Sequence, residues 1–467
     1  MADKKIIDPK QVRVGQWEGY KNEPWLKQDK KDVTVMFNFV ERRKSMFLSA
    51  YFTRKGMNFI DMGDHVKEDV SYGKMYGNRM QCNPIYFTSG SLIRNLIKIE
   101  KETGLSKKEI SKKYIFLSGG GQCGPCRYGM YPQEYLKVLN EAGYDNFRIL
   151  IFGSDLGQEE GTENDAFKFN LLFRINLAIA LILADLFHAA ECSLMAYAEN
   201  TEGVEDLLLE CEQIVLRAFE KPRYFLAVPK ALKKVNKKLT AVKLKNNQKP
   251  LIFVTGEFFA NLAHNDGNYN LRRFITSEGC EVIPGNFTQR TLYDNWRRSV
   301  EAKRGMKYAE TKEEYKFHKK FLKKQKMSSW VVNKIYSSYV KALKPEEFRA
   351  RTEMMDVDKM SNLAKDFYHP EIFGGEGNLE IAEAIDHAQR DEIDGFISSK
   401  PFGCMPSSGV SDGVQSKIMH MYPNLNFLSI ETSGDNDVSI LSRVSMLLLK
   451  AKQRRESIDK EKANLKE

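Results

Sequence analysis

Three of the seven cysteines stand two residues ahead of a proline: Cys82-Asn83-Pro84, Cys123-Gly124-Pro125 and Cys404-Met405-Pro406. With 14 prolines in 467 residues, three such coincidences have a chance on the order of one in a thousand from composition alone. Proline fixes φ, removes an N–H and biases the preceding residue away from helix, so a cysteine just upstream sits in a rigid loop. Thiolate ligands of a metal centre need that rigidity. A fourth cysteine, Cys126, closes a Cys-Gly-Pro-Cys run. Cys82, Cys123, Cys126 and Cys404 are therefore the candidate metal ligands. Cys192, Cys211 and Cys280 lack the pattern and read as buried core thiols.

The loop Gly119-Gly120-Gly121-Gln122-Cys123-Gly124-Pro125-Cys126 is rich in glycine. The backbone N–H groups around Gly120, Gly121 and Gly124 could approach an anionic iron–sulfur cluster and donate to its sulfurs, which raises its reduction potential. A nucleotide loop is the competing reading, but the run is neither GxGxxG nor GxxxxGK[ST]. Other readings of the thiols remain. A dithiol pair would use Cys123 and Cys126 alone and leave Cys82 and Cys404 unexplained. Structural zinc usually takes two paired CxxC knuckles, and only one pair exists. A cluster of the [4Fe–4S] type accounts for the most residues.

These cysteines need a scaffold. VTVMFNFV (33–40), 57–61, YIFLS (114–118) and FRILIFG (147–153) read as strands, alternating with helices over 42–55, 89–102 and 133–142. A second unit repeats the alternation: strands 251–259, 281–284, 394–399 and 425–431, with helices 270–277, 379–390, 410–421 and 438–452. Such alternation implies an α/β fold of two mostly parallel-sheet lobes. Cys126 and Cys404 then follow strands, where open parallel sheets place their sites. The expected organisation is an arm over 1–31, a first lobe over 32–160 and a helical layer over 161–249. A second lobe follows over 250–452, carrying a helical insertion at 288–368, and a charged tail over 453–467.

Composition is that of a soluble globular chain, with 42% hydrophobic and 29% charged residues. The N-terminus shows no apolar signal core, so a cytoplasmic location is expected. The most apolar stretch, 171–198, is interrupted by Arg174, Asp185, His188 and Glu191 and reads as a buried helix rather than a membrane span. The net charge of +10 concentrates at 230–249 and 303–326. These runs read as solvated helix faces, or as a docking surface for an acidic partner. Nucleic acid is not an expected partner, because no stacking platform or nucleic-acid fold accompanies them.

GGGQCGPCRYGMY (119–131) resembles the GPCR-[FY]-G segment of proteins related to 2-hydroxyacyl-CoA dehydratases and their activators. GNRMQCNPIYFTSGSLI (77–93) resembles that family's upstream cysteine–proline segment. VTGEFFANLAHNDGNYNLRRFITSEGCEV (254–282) resembles its glycine–glutamate strand and helix, and KPFGCMPSSGV (400–410) its closing PF-x-C-M-P segment. The resemblance implies flavodoxin-like lobes around a [4Fe–4S] or related cluster, with Cys82, Cys126 and Cys404 as three ligands. It also implies an ATP-dependent activator on a separate chain that injects low-potential electrons, in a homo- or hetero-oligomer. Cys123 departs from the family pattern; it would be a fourth ligand or allow a larger double-cubane cluster. The basic insertion is a second departure.

The expected function is a cluster-bearing acceptor of low-potential electrons, acting as a reductase or a 2-hydroxyacyl-CoA dehydratase-like component. Arg127 would balance cluster charge, and Glu257 would line the cleft as polar contact or proton donor, or else serve as a helix cap. Tyr128 and His264 are weaker candidates. The alternative is a non-catalytic electron-transfer or scaffold subunit of a larger redox complex, favoured by four cysteine ligands with no open iron.

Overall fold

The structure, a computed structural model, describes residues 25–26, 30–120, 126–153, 167, 169–283, 285–372, 375–408 and 412–464. Short runs rich in β-branched and aromatic residues form the strands. In the first lobe these are β1 (Thr34–Phe37), β2 (Asn58–Asp61), β3 (Tyr114–Gly120) and β4 (Arg148–Gly153). In the second they are β5 (Leu251–Gly256), β6 (Glu281–Ile283), β7 (Gly395–Pro401) and β8 (Phe427–Thr432). The first sheet runs in the order β2-β1-β3-β4 and the second β6-β5-β7-β8. Every pairing is parallel, for example Val35 opposite both Phe59 and Ile115, and Gly256 opposite Ser399. The two lobes thus share one flavodoxin-like topology. β5 and β7 are buried along their whole length, as sheets covered on both faces require.

Helices α1 (Arg42–Arg54), α2 (Lys67–Tyr76), α3 (Asn83–Thr103), α4 (Lys107–Lys113) and α5 (Tyr131–Glu141) cover the first sheet. The helical layer is α6 (Leu171–Tyr197), α7 (Val204–Phe219) and α8 (Tyr224–Leu239). The second lobe carries α9 (Phe258–Leu262) and α10 (Leu271–Ser277), then the insertion α11 (Phe287–Lys307), α12 (Lys312–Leu343) and α13 (Val357–Ala364). It closes with α14 (Gly377–Arg390), α15 (Asp412–Met421) and α16 (Asp437–Asn464). Helix starts follow local capping chemistry. Asn170 accepts from Phe173 N–H at 3.0 Å to open α6, and Thr311 with Glu314 forms a capping box on α12.

Several boundaries differ from the sequence expectation. Helix α3 starts at Asn83, not Ser89, with Cys82 as its N-cap and Pro84 in its first turn. Proline is tolerated there because the first-turn N–H groups have no helical partner. Strand β3 runs on through Gly119 and Gly120, whose backbones pair with Phe152 and Gly153. Gly120 is therefore a strand residue rather than part of the loop. The charged tail is not separate, since α16 continues to Asn464. The arm contributes Trp25, which is fully buried and stacked 6.1 Å from Phe167.

Helix α6 alone among the described helices is long and apolar enough to cross a membrane, and 67% of its apolar window is buried inside the protein. It packs on α1 of the first lobe, on α10 and β6 of the second, and on α11 and α12 of the insertion. Three of its polar interruptions, Asp185, His188 and Glu191, lie three residues apart, on one face. Asp185 accepts from the backbone N–H groups of Phe287 and Thr288 at 3.0 and 2.7 Å, and so caps α11. The lysines of α8 and α12 face solvent, with Tyr315, Phe317 and Trp330 also exposed on α12.

Candidate functional site

The carboxyl ends of both sheets approach one seam between the lobes. At the end of β5, Gly256 takes φ +125°, and a Cβ there would lie 1.9 Å from the Ser399 carbonyl oxygen. Only glycine allows that approach. The turn then sets Glu257, whose backbone N–H donates to Ser399 O at 2.9 Å. The Glu257 carboxylate accepts from Phe259 and Ala260 N–H at 2.9 and 3.1 Å and caps α9. Beside it, β7 leads into Phe402-Gly403-Cys404. Gly403 takes φ +76°, and a Cβ on it would lie 3.1 Å from Cys82 Cα. The Asn83 N–H donates to Phe402 O at 2.9 Å. The Cys82 turn of the first lobe and the Cys404 turn of the second are thus in backbone contact.

Cys126 reaches the seam from the end of β3. Arg127 donates to the Met80 carbonyl and lies 3.8 Å from Met405 Sδ, touching the segments that carry Cys82 and Cys404. Tyr131, at the start of α5, sits 2.9 Å from Cys82 Sγ through its hydroxyl. Cys82 and Cys404 are buried and Cys126 is partly so. Gly121, Cys123 and Gly124 lie outside the described residues.

Burial dominates the electrostatics. It pushes the Cys82 thiol up to about 11 against the hydrogen bond from Tyr131, and Glu257 pushes the same way. Burial and Glu257 also lift Cys126 to about 11, opposed by Arg290. The same two influences raise Cys404. Glu257 is lifted to about 7 by burial, over the opposing N–H groups of Ala260 and Phe259 and the charge of Arg290. One carboxyl group thus acts on all three sulfurs. Thiols this weakly acidic stay protonated until a metal displaces the protons.

Cys82, Cys126 and Cys404 are not among the groups of three ligand atoms lying within 4.8 Å of one another among the described residues. A single zinc ion with bonds of about 2.3 Å would gather its sulfurs within about 4 Å. A cubane binds its thiolates on separate irons, farther apart. Three thiols with Arg127 and Arg290 nearby are donors of a kind that both zinc and iron–sulfur groups take.

Tyr131 and Arg290 are the residues that sequence reasoning passed over here. Arg290 comes from the insertion, 164 positions beyond Cys126 in numbering, and nothing local marks it. Tyr131 lies inside the resembling segment, five residues past Cys126, but the spacing alone gave it no role. Cys192, Cys211 and Cys280 are buried, as expected. His264 is not at the cysteine seam; it follows α9 and faces His188 and Glu41.

No family model matches the chain, and no curated protein matches it.

Proposed function

We propose that the chain is an iron–sulfur protein of the type that the 2-hydroxyacyl-CoA dehydratase-related resemblance implies, accepting low-potential electrons from an ATP-dependent partner. The observation that carries this reading is the meeting of the Cys82 and Cys404 turns across the lobes, with Cys126 beside them and Glu257 acting on all three sulfurs. Cys82, Cys126 and Cys404 would hold a [4Fe–4S]-type cluster, with Cys123 the candidate for a fourth thiolate. Such a cluster supplies one-electron redox capacity when bound.

The chain's own residues do the rest. Arg127 and Arg290 bring positive charge to the thiol-lined seam, Arg290 while paired with Asp294 at 3.3 Å and with Glu376. Glu257, held near neutrality by burial, keeps an exchangeable proton next to the sulfurs. Met80, Met130, Phe402 and Met405 are exposed around Arg127, an adaptable apolar rim suited to a docking electron donor.

The test is anaerobic purification followed by absorption and electron paramagnetic resonance spectra before and after a low-potential reductant. The reading expects a visible chromophore that bleaches reversibly. A colourless protein holding zinc or no metal contradicts it.

A further inference from the structure

A second constellation lies at the other end of α9, independent of the cysteines. Glu41 follows β1 in the first lobe, His188 sits on α6 in the helical layer, and His264 follows α9 in the second lobe. One ligand atom from each lies within 4.8 Å of the others. The imidazoles meet edge to face with ring centroids 4.8 Å apart. His264 Nε2 lies 3.8 Å from Glu41 Oε1, too far for a hydrogen bond. That separation is near the roughly 3.3 Å taken by two ligands on one tetrahedral ion with bonds of about 2.0–2.1 Å.

His188 Nδ1 and His264 Nε2 are both buried and have no hydrogen-bond partner. Buried imidazole nitrogens are rarely left so. Two adjoining cavities have Glu191, His264, Asn265 and Arg273 in both walls; His188 lines one and Glu41 the other.

We propose that Glu41, His188 and His264 form a mononuclear site for a divalent first-row transition ion of the zinc class, clasping both lobes to α6. Two imidazoles and one carboxylate suit such an ion better than magnesium or calcium, and three protein ligands leave a position open towards the cavities.

Most of the cations nearby have carboxylate partners, while the buried Arg272 also lines the cavity beside His188. Arg43 pairs with Glu191 and Glu212, each at 2.6 Å, and Lys44 holds the other Glu41 oxygen at 2.7 Å. Arg273 pairs with Glu205 at 3.2 Å and Glu191 at 3.6 Å, and Arg272 donates to the Asn261 carbonyl. Glu41 Oε1 keeps only a 3.4 Å contact from Arg43. Burial lowers the pKa of both imidazoles, with Arg272 adding to it at His188. Burial opposes ionisation of Glu41, but the neighbouring cations, Lys44 foremost, outweigh it and hold the carboxyl at about 2.

The test titrates the full-length, anaerobically purified chain with Zn²⁺ against a chromophoric chelator. One equivalent should bind per chain, unaffected by Cys82→Ser, Cys126→Ser or Cys404→Ser, and weakened more than tenfold in His188→Ala and His264→Gln. Because His188 is buried, His264→Gln carries a second readout. Zn²⁺ should raise the thermal midpoint of the wild type and not that of His264→Gln, whose circular dichroism should match wild type. Co²⁺ added to the wild type should give visible bands without thiolate charge transfer. Unchanged zinc affinity in the histidine variants, no zinc uptake at all, or a cobalt spectrum dominated by sulfur overturns the proposal. Each of these outcomes is separable from failure of the iron–sulfur reading, which is scored on iron and sulfide.

Discussion

The two ends of α9 face regions of opposite chemistry. At its start, Glu257 looks onto three thiols in surroundings so apolar that each is pushed towards its neutral form. Past its end, His264 enters a mesh of buried ion pairs in which Arg43 alone engages Glu41, Glu191 and Glu212. Desolvation outweighs its opponents at the first end and is outweighed by partners at the second, where Glu41 and Glu191 are both held at about 2. The difference separates roles. Paired charges at the second end fix how the lobes sit around two imidazole nitrogens without partners, and the buried thiols at the first end have no such pairing.

If that division holds, the largest stability effect belongs to the ion-pair end. Arg43→Ala leaves three buried carboxylates without their shared cation and should cost about 3–5 kcal/mol in urea unfolding of the metal-free chain. Cys126→Ser should cost less than about 1 kcal/mol in the same assay. Similar costs for both would erase the distinction.

Glu257 gives the next effect. Its carboxyl rises from 4.5 to about 7 on folding, so between those values the folded chain binds more protons than the unfolded one. Stability must then fall as pH rises through that window, by about 3 kcal/mol at most. Glu257→Gln should flatten this slope; an unchanged slope would show that its burial carries no such penalty.

Gly403→Ala is smaller. Its φ of +76° and the 3.0 Å approach of an added Cβ to the Gln81 carbonyl should cost about 1–2 kcal/mol and loosen the contact between the Cys82 and Cys404 turns. Iron loading of this variant should fall while its zinc affinity stays constant. At the bottom of the scale, Lys319→Glu and Lys323→Glu on the exposed face of α12 should shift stability by no more than about 0.5 kcal/mol, measured as thermal midpoints.

The approach of the Cys82 and Cys404 turns could be anticipated from the sequence, and the meeting of Glu41, His188 and His264 could not. Cys-x-Pro is a local pattern with a local cause, and strands such as 114–118 and 251–256 announce themselves by continuous apolar runs. The parallel two-lobed architecture followed from their alternation with helices. Glu41, His188 and His264 are scattered over 223 positions of numbering, and no periodicity links them. One signal was present. Asp185, His188 and Glu191 recur every third residue in an otherwise apolar helix, and buried polar groups on one helix face must find partners. The pattern marked a polar seam without saying what would meet it. Helix α3 begins at Asn83, ahead of the apolar face that starts near Ser89, because Pro84 is at home in a first turn.

The most direct test of the cluster reading counts iron and acid-labile sulfide in the anaerobically purified chain and in its cysteine variants. The account predicts about four irons per wild-type chain, or about eight for a double cluster. It also predicts strong depletion in Cys82→Ser, Cys126→Ser and Cys404→Ser, with full retention in Cys192→Ser. Iron that survives all three substitutions, or a wild-type chain carrying none, would contradict it.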